Sequence, residues 1–310
     1  MSTVLITHAA CLEHDTGEYH PECAERLRLL LKSLEAEEFA ALARVEAPRA
    51  TVVQLMRAHD SDYVDFVRDQ IPGPGDYGHL DPDTVVSDGS WEAALRSAGS
   101  GIAAVDAVMA GQHRNAFCAT RPPGHHAEGN AAMGFCLFNN AAIAAMHAQG
   151  AHGLKRVAVF DIDVHHGNGT QDIFYSHPGL MYLSIHEEDS FPGTGLEEES
   201  GVADNIFNIL LPPGAGSSSW RQAVEDRIAP RLRAFRPELL VISAGFDAHA
   251  DDPMAHLKLK TDDFLWAGQQ MRALADELCG GRLVSMLEGG YDIKSLCHSA
   301  SAYLRGQMGA

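Results

Sequence analysis

Val157-Ala158-Val159-Phe160-Asp161-Ile162-Asp163-Val164-His165-His166-Gly167-Asn168-Gly169 is the stretch that decides how this chain folds. Its first part is a β-branched and aromatic run the length of one strand. Its second part gathers acids, imidazoles and glycines where that strand ends. The pattern recurs three times. The strand candidate 116–119 runs into Arg121-Pro122-Pro123-Gly124-His125-His126, 239–243 into Ala244-Gly245-Phe246-Asp247, and 283–287 into Glu288-Gly289-Gly290-Tyr291. Further strand candidates are 4–7, 181–185 and 206–211. Helix-length segments lie between them at 22–34, 90–110, 140–149, 220–234, 262–278 and 293–304. Strands alternating with helices predict an α/β fold with a parallel sheet covered on both faces. Runs such as Leu239-Leu240-Val241-Ile242-Ser243 suit strands buried on both sides. In an open parallel sheet ligands bind beyond the carboxyl ends of strands, so four strands deliver Asp, His and Tyr to one edge.

Composition sets the outer bounds. The chain has 310 residues, 45% hydrophobic and 21% charged, which is ordinary for a globular protein. Length alone suggests about two domains. With no repeat and no low-complexity linker, and with Pro72-Gly73-Pro74-Gly75 reading as a surface loop, a single domain over 1–310 is expected. The 23 Lys+Arg against 42 Asp+Glu give a formal charge of −19, which argues against nucleic acid and is compatible with cationic partners. No apolar run approaches the ~20 residues of a membrane span, and the first residues lack a signal-peptide pattern. The six cysteines form no Cys-x-x-Cys and read as reduced thiols of a cytoplasmic protein.

Asp161, Asp163 and His165 recur at a spacing of two, which puts alternate side chains of an extended segment on one side. All three could converge, or two could bind a metal while the third orients them. With Asp247 the edge offers two carboxylates and an imidazole, and a catalytic zinc has three protein ligands and an open position. An isolated Asp-x-His is more often a buried polar network, but the unbroken Asp-x-Asp-x-His-His-Gly-Asn-Gly string weighs against that. His125 and His126 on a rigid turn suit a general base and its partner. Tyr291 after two glycines is by itself only a loop anchor; beside a metal, its phenol can donate to a developing oxyanion. Other motifs fail. Gly73-Pro74-Gly75-Asp76-Tyr77-Gly78 has the glycine spacing of a dinucleotide site but no strand before it, and neither a Walker A nor a Gly-x-Ser-x-Gly sequence occurs.

Together these strings resemble the zinc-dependent histone deacetylase family, over about residues 8–303. Arg121–Ala127, Gly134-Phe135-Cys136-Leu137-Phe138-Asn139-Asn140 and Asp163–Gln171 look like its class II branch and bacterial deacetylase-like amidohydrolases. The resemblance implies an arginase-like three-layer α/β/α fold with a mostly parallel sheet. It implies Asp163, His165 and Asp247 as ligands of Zn2+, with Fe2+ also suited to such a set. It makes His126 the general base and acid, with Asn168 orienting it, and His125 the second imidazole, with Asp161 orienting it. Class I members have Asp at the Asn168 position, so His126 here is less biased toward its charged form. Tyr291 matches the tyrosine that polarises the substrate carbonyl. Gly134, Phe135, Phe191 and Met254 match the walls and rim of an acyl-lysine tunnel. Asp161, Asp163, His165, Ser184 and Ile185 match a structural K+ site.

The implied activity is removal of acetyl or other acyl groups from ε-amines of lysine or related amines. A polyamine deacetylase is the alternative, although the rim position where that branch has a glutamate is Met254. A binuclear manganese ureohydrolase needs Asp-x-His-x-Asp, and Gly167 stands where the last carboxylate would be. A non-catalytic acyl-binding scaffold would be expected to lack part of the constellation, and none is missing. Oligomeric state is left open.

Overall fold

The computed structural model describes residues 2–309. Its strands are, in chain order, β1 Thr3–Thr7, β2 Ala43–Glu46, β3 Gly78–His79, β4 Val85–Val86, β5 Asn115–Cys118, β6 Val157–Asp161, β7 Leu180–Glu187, β8 Ile206–Leu211, β9 Leu239–Ala244 and β10 Leu283–Leu287. The helices are α1 Ala24–Ser33, α2 Val52–Leu55, α3 Ser61–Asp69, α4 Ser90–Met109, α5 Asn140–His152, α6 Asn168–Phe174, α7 Ser217–Ala223, α8 Ala229–Phe235, α9 Thr261–Cys279 and α10 Ile293–Met308. Eight strands form one sheet in the order β2-β1-β5-β10-β9-β6-β7-β8. Every neighbouring pair in it is parallel. β3 and β4 make a separate antiparallel pair.

Strand alternation builds the three layers. Along β6, Ala158 and Phe160 enter one core while Val157 and Val159 enter the other; along β9, Leu240 and Ile242 oppose Leu239 and Val241 in the same way. The first core is closed by Leu27 and Leu30 of α1, Trp220 of α7, Met271 of α9 and Tyr303 of α10. The second is closed by Val64 of α3, Ile102 of α4 and Ile143 of α5. Each such fully buried aliphatic or aromatic side chain contributes roughly 1.5–3 kcal/mol relative to exposure. The helices also end where their sequences say they should. Asn139 accepts the Ala142 N–H ahead of α5, Asp292 accepts the Ser295 N–H ahead of α10, and both helices stop at a left-handed glycine, Gly153 and Gly309.

The expected three-layer α/β architecture is present, with differences at its margins. β2 was not expected, because Ala-Arg-Val-Glu has no apolar run; it forms by pairing with β1 at the sheet edge. The segment 220–234, read as one helix, contains a π-turn at Val224–Ile228 between α7 and α8. α6 lies outside the expected helices, since its glycine and polar residues lower helix propensity; its burial against the strand ends overrides that. None of the six cysteines forms a disulfide, and no helix of the described residues is long and apolar enough to cross a membrane.

Candidate active site

The sheet order places β5, β10, β9 and β6 side by side, so the four polar tails meet. Beyond β6 and β9, Asp163, His165 and Asp247 present ligand atoms that all lie within 4.8 Å of one another, every one buried. His165 Nδ1 is 3.1 Å from Asp163 Oδ1 and 3.2 Å from Asp247 Oδ2. The remaining carboxylate oxygens are tied down. Gly289 N–H donates to Asp163 Oδ2 (2.9 Å) and Val164 N–H to Asp247 Oδ1 (3.0 Å). Asp247 Oδ2 is buried and makes no hydrogen bond. Burial, with the Asp163 carboxylate beside it, pushes Asp247 up to about 7. Two buried carboxylates and one orphaned oxygen are unfavourable without a cation, and two oxygens with one imidazole nitrogen suit a divalent ion. The backbone leaves room for no more than this: a Cβ on Gly289 would stand 2.1 Å from Asp247 Oδ2. The set therefore fits the metal that the sequence implies.

Beside it the two histidines differ in partner. His125 Nδ1 lies 3.0 Å from Asp161 Oδ2, and its Nε2 is 3.8 Å from Asp163. Burial alone would lower it, but the Asp163 and Asp161 carboxylates outweigh that and raise it to about 10. His126 Nδ1 lies 2.9 Å from Asn168 Oδ1. The Asn168 amide nitrogen faces His126 O, Glu128 Oε1 and Met133 Sδ, all acceptors, so its oxygen must face His126. His126 Nδ1 then carries the hydrogen and Nε2 is left as a proton acceptor. Burial and the neighbouring His125 and His165 hold His126 well below the usual histidine value. A neutral imidazole and a charged one thus lie side by side, ring centroids 3.9 Å apart.

These groups open into a narrow cavity of about 170 Å³ lined by His126, His165, Gly134, Phe135, Phe191, Met254 and Tyr291, together with Asp83 and Ser190. The Phe191 ring meets His126 edge-on at 5.0 Å, and Phe135 meets Tyr291 at 5.8 Å. Gly134 has φ +55°, and a Cβ there would stand 2.4 Å from the His126 ring, so only glycine lets this wall approach the base. Met254 and Phe191 are partly exposed at the mouth. Burial pushes the Tyr291 phenol well above its usual value, keeping it a hydrogen-bond donor. A wider cleft of about 400 Å³ around Arg57 and His177 lies elsewhere, and the catalytic groups do not line it.

Sequence reasoning missed several of these supports. Asp83 sits in a loop far from every motif and reaches the cavity only through the fold. Arg26, buried on α1, donates to the carbonyls of Glu288 and Gly290 (both 2.6 Å) and lies 4.8 Å over the Tyr291 ring. Glu22 pairs with Arg26 (2.8 Å) and with Arg121, all three fully buried. A charged residue on an otherwise apolar helix face was the available signal for Arg26; Glu22 precedes that helix.

A second three-residue set, Asp106, His147 and His152, also converges, on α4 and α5. Both Nε2 atoms lie 2.7 Å from Asp106 Oδ1, and the Arg57 guanidinium faces His147 Nδ1. A metal-bound histidine needs an acceptor behind it, so this set is a hydrogen-bonded cluster. Of the residues expected at K+, Asp161 and Ser184 are paired in register on β6 and β7. There Asp161 accepts from Asp163 N–H and the Tyr182 hydroxyl, and Ser184 bonds His186.

Comparison with known proteins bears on the whole chain. The family profile described as histone deacetylase domain matches residues 20–307. The histone deacetylase-like amidohydrolase of Pseudomonas aeruginosa is 41% identical over 277 residues, covering 88% of this chain and 72% of that protein. The chloroplastic histone deacetylase 14 of Arabidopsis thaliana is 37% identical over 97% of this chain and 75% of its own. Among solved structures, the HDA15 HD domain superposes with a TM-score of 0.92 at 34% identity, covering 100% of this chain and 89% of that one.

Proposed function

Because the chain belongs to the histone deacetylase family and is a hydrolytic deacetylase, we propose that it removes acyl groups from slender primary-amine chains, ε-acyl-lysine first among them, using Zn2+ held by Asp163, His165 and Asp247. One observation carries this: the neutral His126, with Nδ1 committed to Asn168, lines one cavity with His165, a member of a three-donor set that contains an orphaned carboxylate oxygen. A divalent ion at that set supplies Lewis acidity toward the amide carbonyl and the attacking water.

The protein's own groups do the rest. Phe135 and Phe191, which line the cavity, would flank the alkyl stem and shield it from water. His126 accepts the proton of the attacking water at Nε2 and returns it to the departing amine nitrogen. His125, held charged by Asp161, supplies positive charge beside the reacting centre. Tyr291 donates its phenol hydrogen to the oxyanion as it develops, an effect worth on the order of 10²–10³ in rate. Asp161, Asp163, His165, Ser184 and Ile185 would hold a structural K+, supported by their adjacency at the ends of β6 and β7. Met254 gives the rim an apolar lip, which supports an acyl-lysine over a polyamine, since a cationic amine gains nothing there. The test is hydrolysis of an acetyl-lysine peptide against N-acetylputrescine after defined zinc loading. A preference for the peptide supports the proposal; a strong preference for the polyamine overturns its substrate half, and inertness toward both overturns it entirely.

A further inference from the structure

Glu288 directly follows β10, is buried, and takes no part in the chemistry above. Its Oε2 accepts the backbone N–H of Gly124 (2.6 Å) and of His125 (3.2 Å). These are the first N–H groups after Pro122-Pro123, which have none, and they lead directly into His126. β5 has already ended at Cys118, so sheet pairing does not hold this turn. Glu288 itself is held firmly: its N–H donates to Ala244 O (3.0 Å), and its carbonyl accepts from Arg26 (2.6 Å). The next residue, Gly289, donates to the ligand carboxylate of Asp163 (2.9 Å). One two-residue segment therefore grips both the turn that carries the imidazoles and an oxygen of the ligand set. An apolar side chain of the same size would fill the space without burying a carboxylate, and would offer the two N–H groups nothing.

We propose that Glu288 is a positioning residue for the histidine pair, fixing the distance of His126 from the ligand set by clamping the 124–125 backbone to the end of β10. The proposal deepens the deacetylase function above and rests on it for its kinetic consequence. A misplacement of about 1 Å costs roughly 10²-fold in rate.

The experiment compares E288A, E288L and E288Q in the zinc-loaded full chain. Glutamine keeps one acceptor oxygen for both N–H groups and places its amide nitrogen where the other oxygen, Oε1, has no hydrogen-bond partner. E288A and E288L are expected to lower kcat roughly 10- to 100-fold, with KM within about twofold and zinc content unchanged, and E288Q to recover most of the loss. Independently, the Gly124 amide proton should resonate far downfield in the native protein and in E288Q, and move upfield in E288A. The proposal is overturned if E288A turns over like the native chain, if zinc and KM fail together with kcat, if glutamine does not rescue, or if the Gly124 resonance does not move. If the native chain hydrolyses no acyl amide, the functional assignment falls, while the amide shift still decides whether the clamp exists.

Discussion

Replacing Asn168 with Asp puts a carboxylate where a neutral oxygen now stands 2.9 Å from His126 Nδ1. The site contains its own comparison. His125, with the Asp163 carboxylate 3.8 Å away and Asp161 at 3.0 Å, is raised to about 10, whereas His126 faces the neutral Asn168 and lies well below its usual value. With charge centres about 4 Å apart and an effective dielectric of about 20, the attraction is about 4 kcal/mol, or about 3 pKa units. Burying the new carboxylate and the nearby cation take back part of this, leaving a rise of roughly 1–2 units in His126. The base must be neutral to accept a proton, so activity is lost as pH falls through its pKa. A raised pKa therefore moves the acid limb of kcat/KM to higher pH by that amount. The new carboxylate would also face Glu128, whose Oε1 now accepts from Asn168 (2.8 Å), so N168D/E128Q is the cleaner variant. The assay is the pH profile of kcat/KM on an acetyl-lysine peptide. An acid limb that stays in place, or moves to lower pH, would refute the base assignment.

Four further outcomes are expected. Y291F should lose roughly 10²–10³ in kcat while retaining its metal, read by turnover and metal content together. G289A should lose metal by at least about tenfold in affinity, measured by competition with a chelator, because its Cβ would stand 2.1 Å from Asp247 Oδ2. E22Q leaves Arg121 and Arg26 buried without their anion and should cost about 3–5 kcal/mol, a fall of roughly 5–8 °C in Tm. The pH dependence of stability follows from the same cluster. Burial alone would raise Glu22, but Arg121 and Arg26 hold it down at about 2, so its contribution is present above about 4.5 and lost as pH falls toward 2. Burial and Arg121 hold His14 down at about 3, so below about 6.5 the unfolded chain gains a proton that the folded one refuses. Acid titration of unfolding should therefore show stability falling from about pH 6.5, and E22Q should remove Glu22's share of that slope between 4.5 and 2, leaving the His14 share.

Much of this is legible in the sequence. The strand runs at 157–161, 239–243 and 283–287 declare themselves because strands buried on both faces must be apolar throughout. The polar tails stand out against those runs, and Asp163, His165, Asp247, His126 and Tyr291 were named from them. β2 and α6 were not legible, because neither has the periodicity of its element; a neighbouring strand holds one and burial the other. Asp83 and Arg26 were missed because what they meet lies far away in the chain, Arg26 reaching carbonyls 262 and 264 residues on, and Glu22 because it also pairs with Arg121, 99 residues on.

Residue order alone determined the alternation of strand and helix, the four polar tails and the chemical types they carry, since these depend on local pattern. The tertiary structure decided that β5, β10, β9 and β6 are neighbours, that Asn168 turns its oxygen toward His126, and that one oxygen of Asp247 is left without a partner. Those are matters of packing between distant segments. Only when the sheet closes do water and free rotation leave the strand ends, and with them go the alternatives that each polar atom had in the unfolded chain.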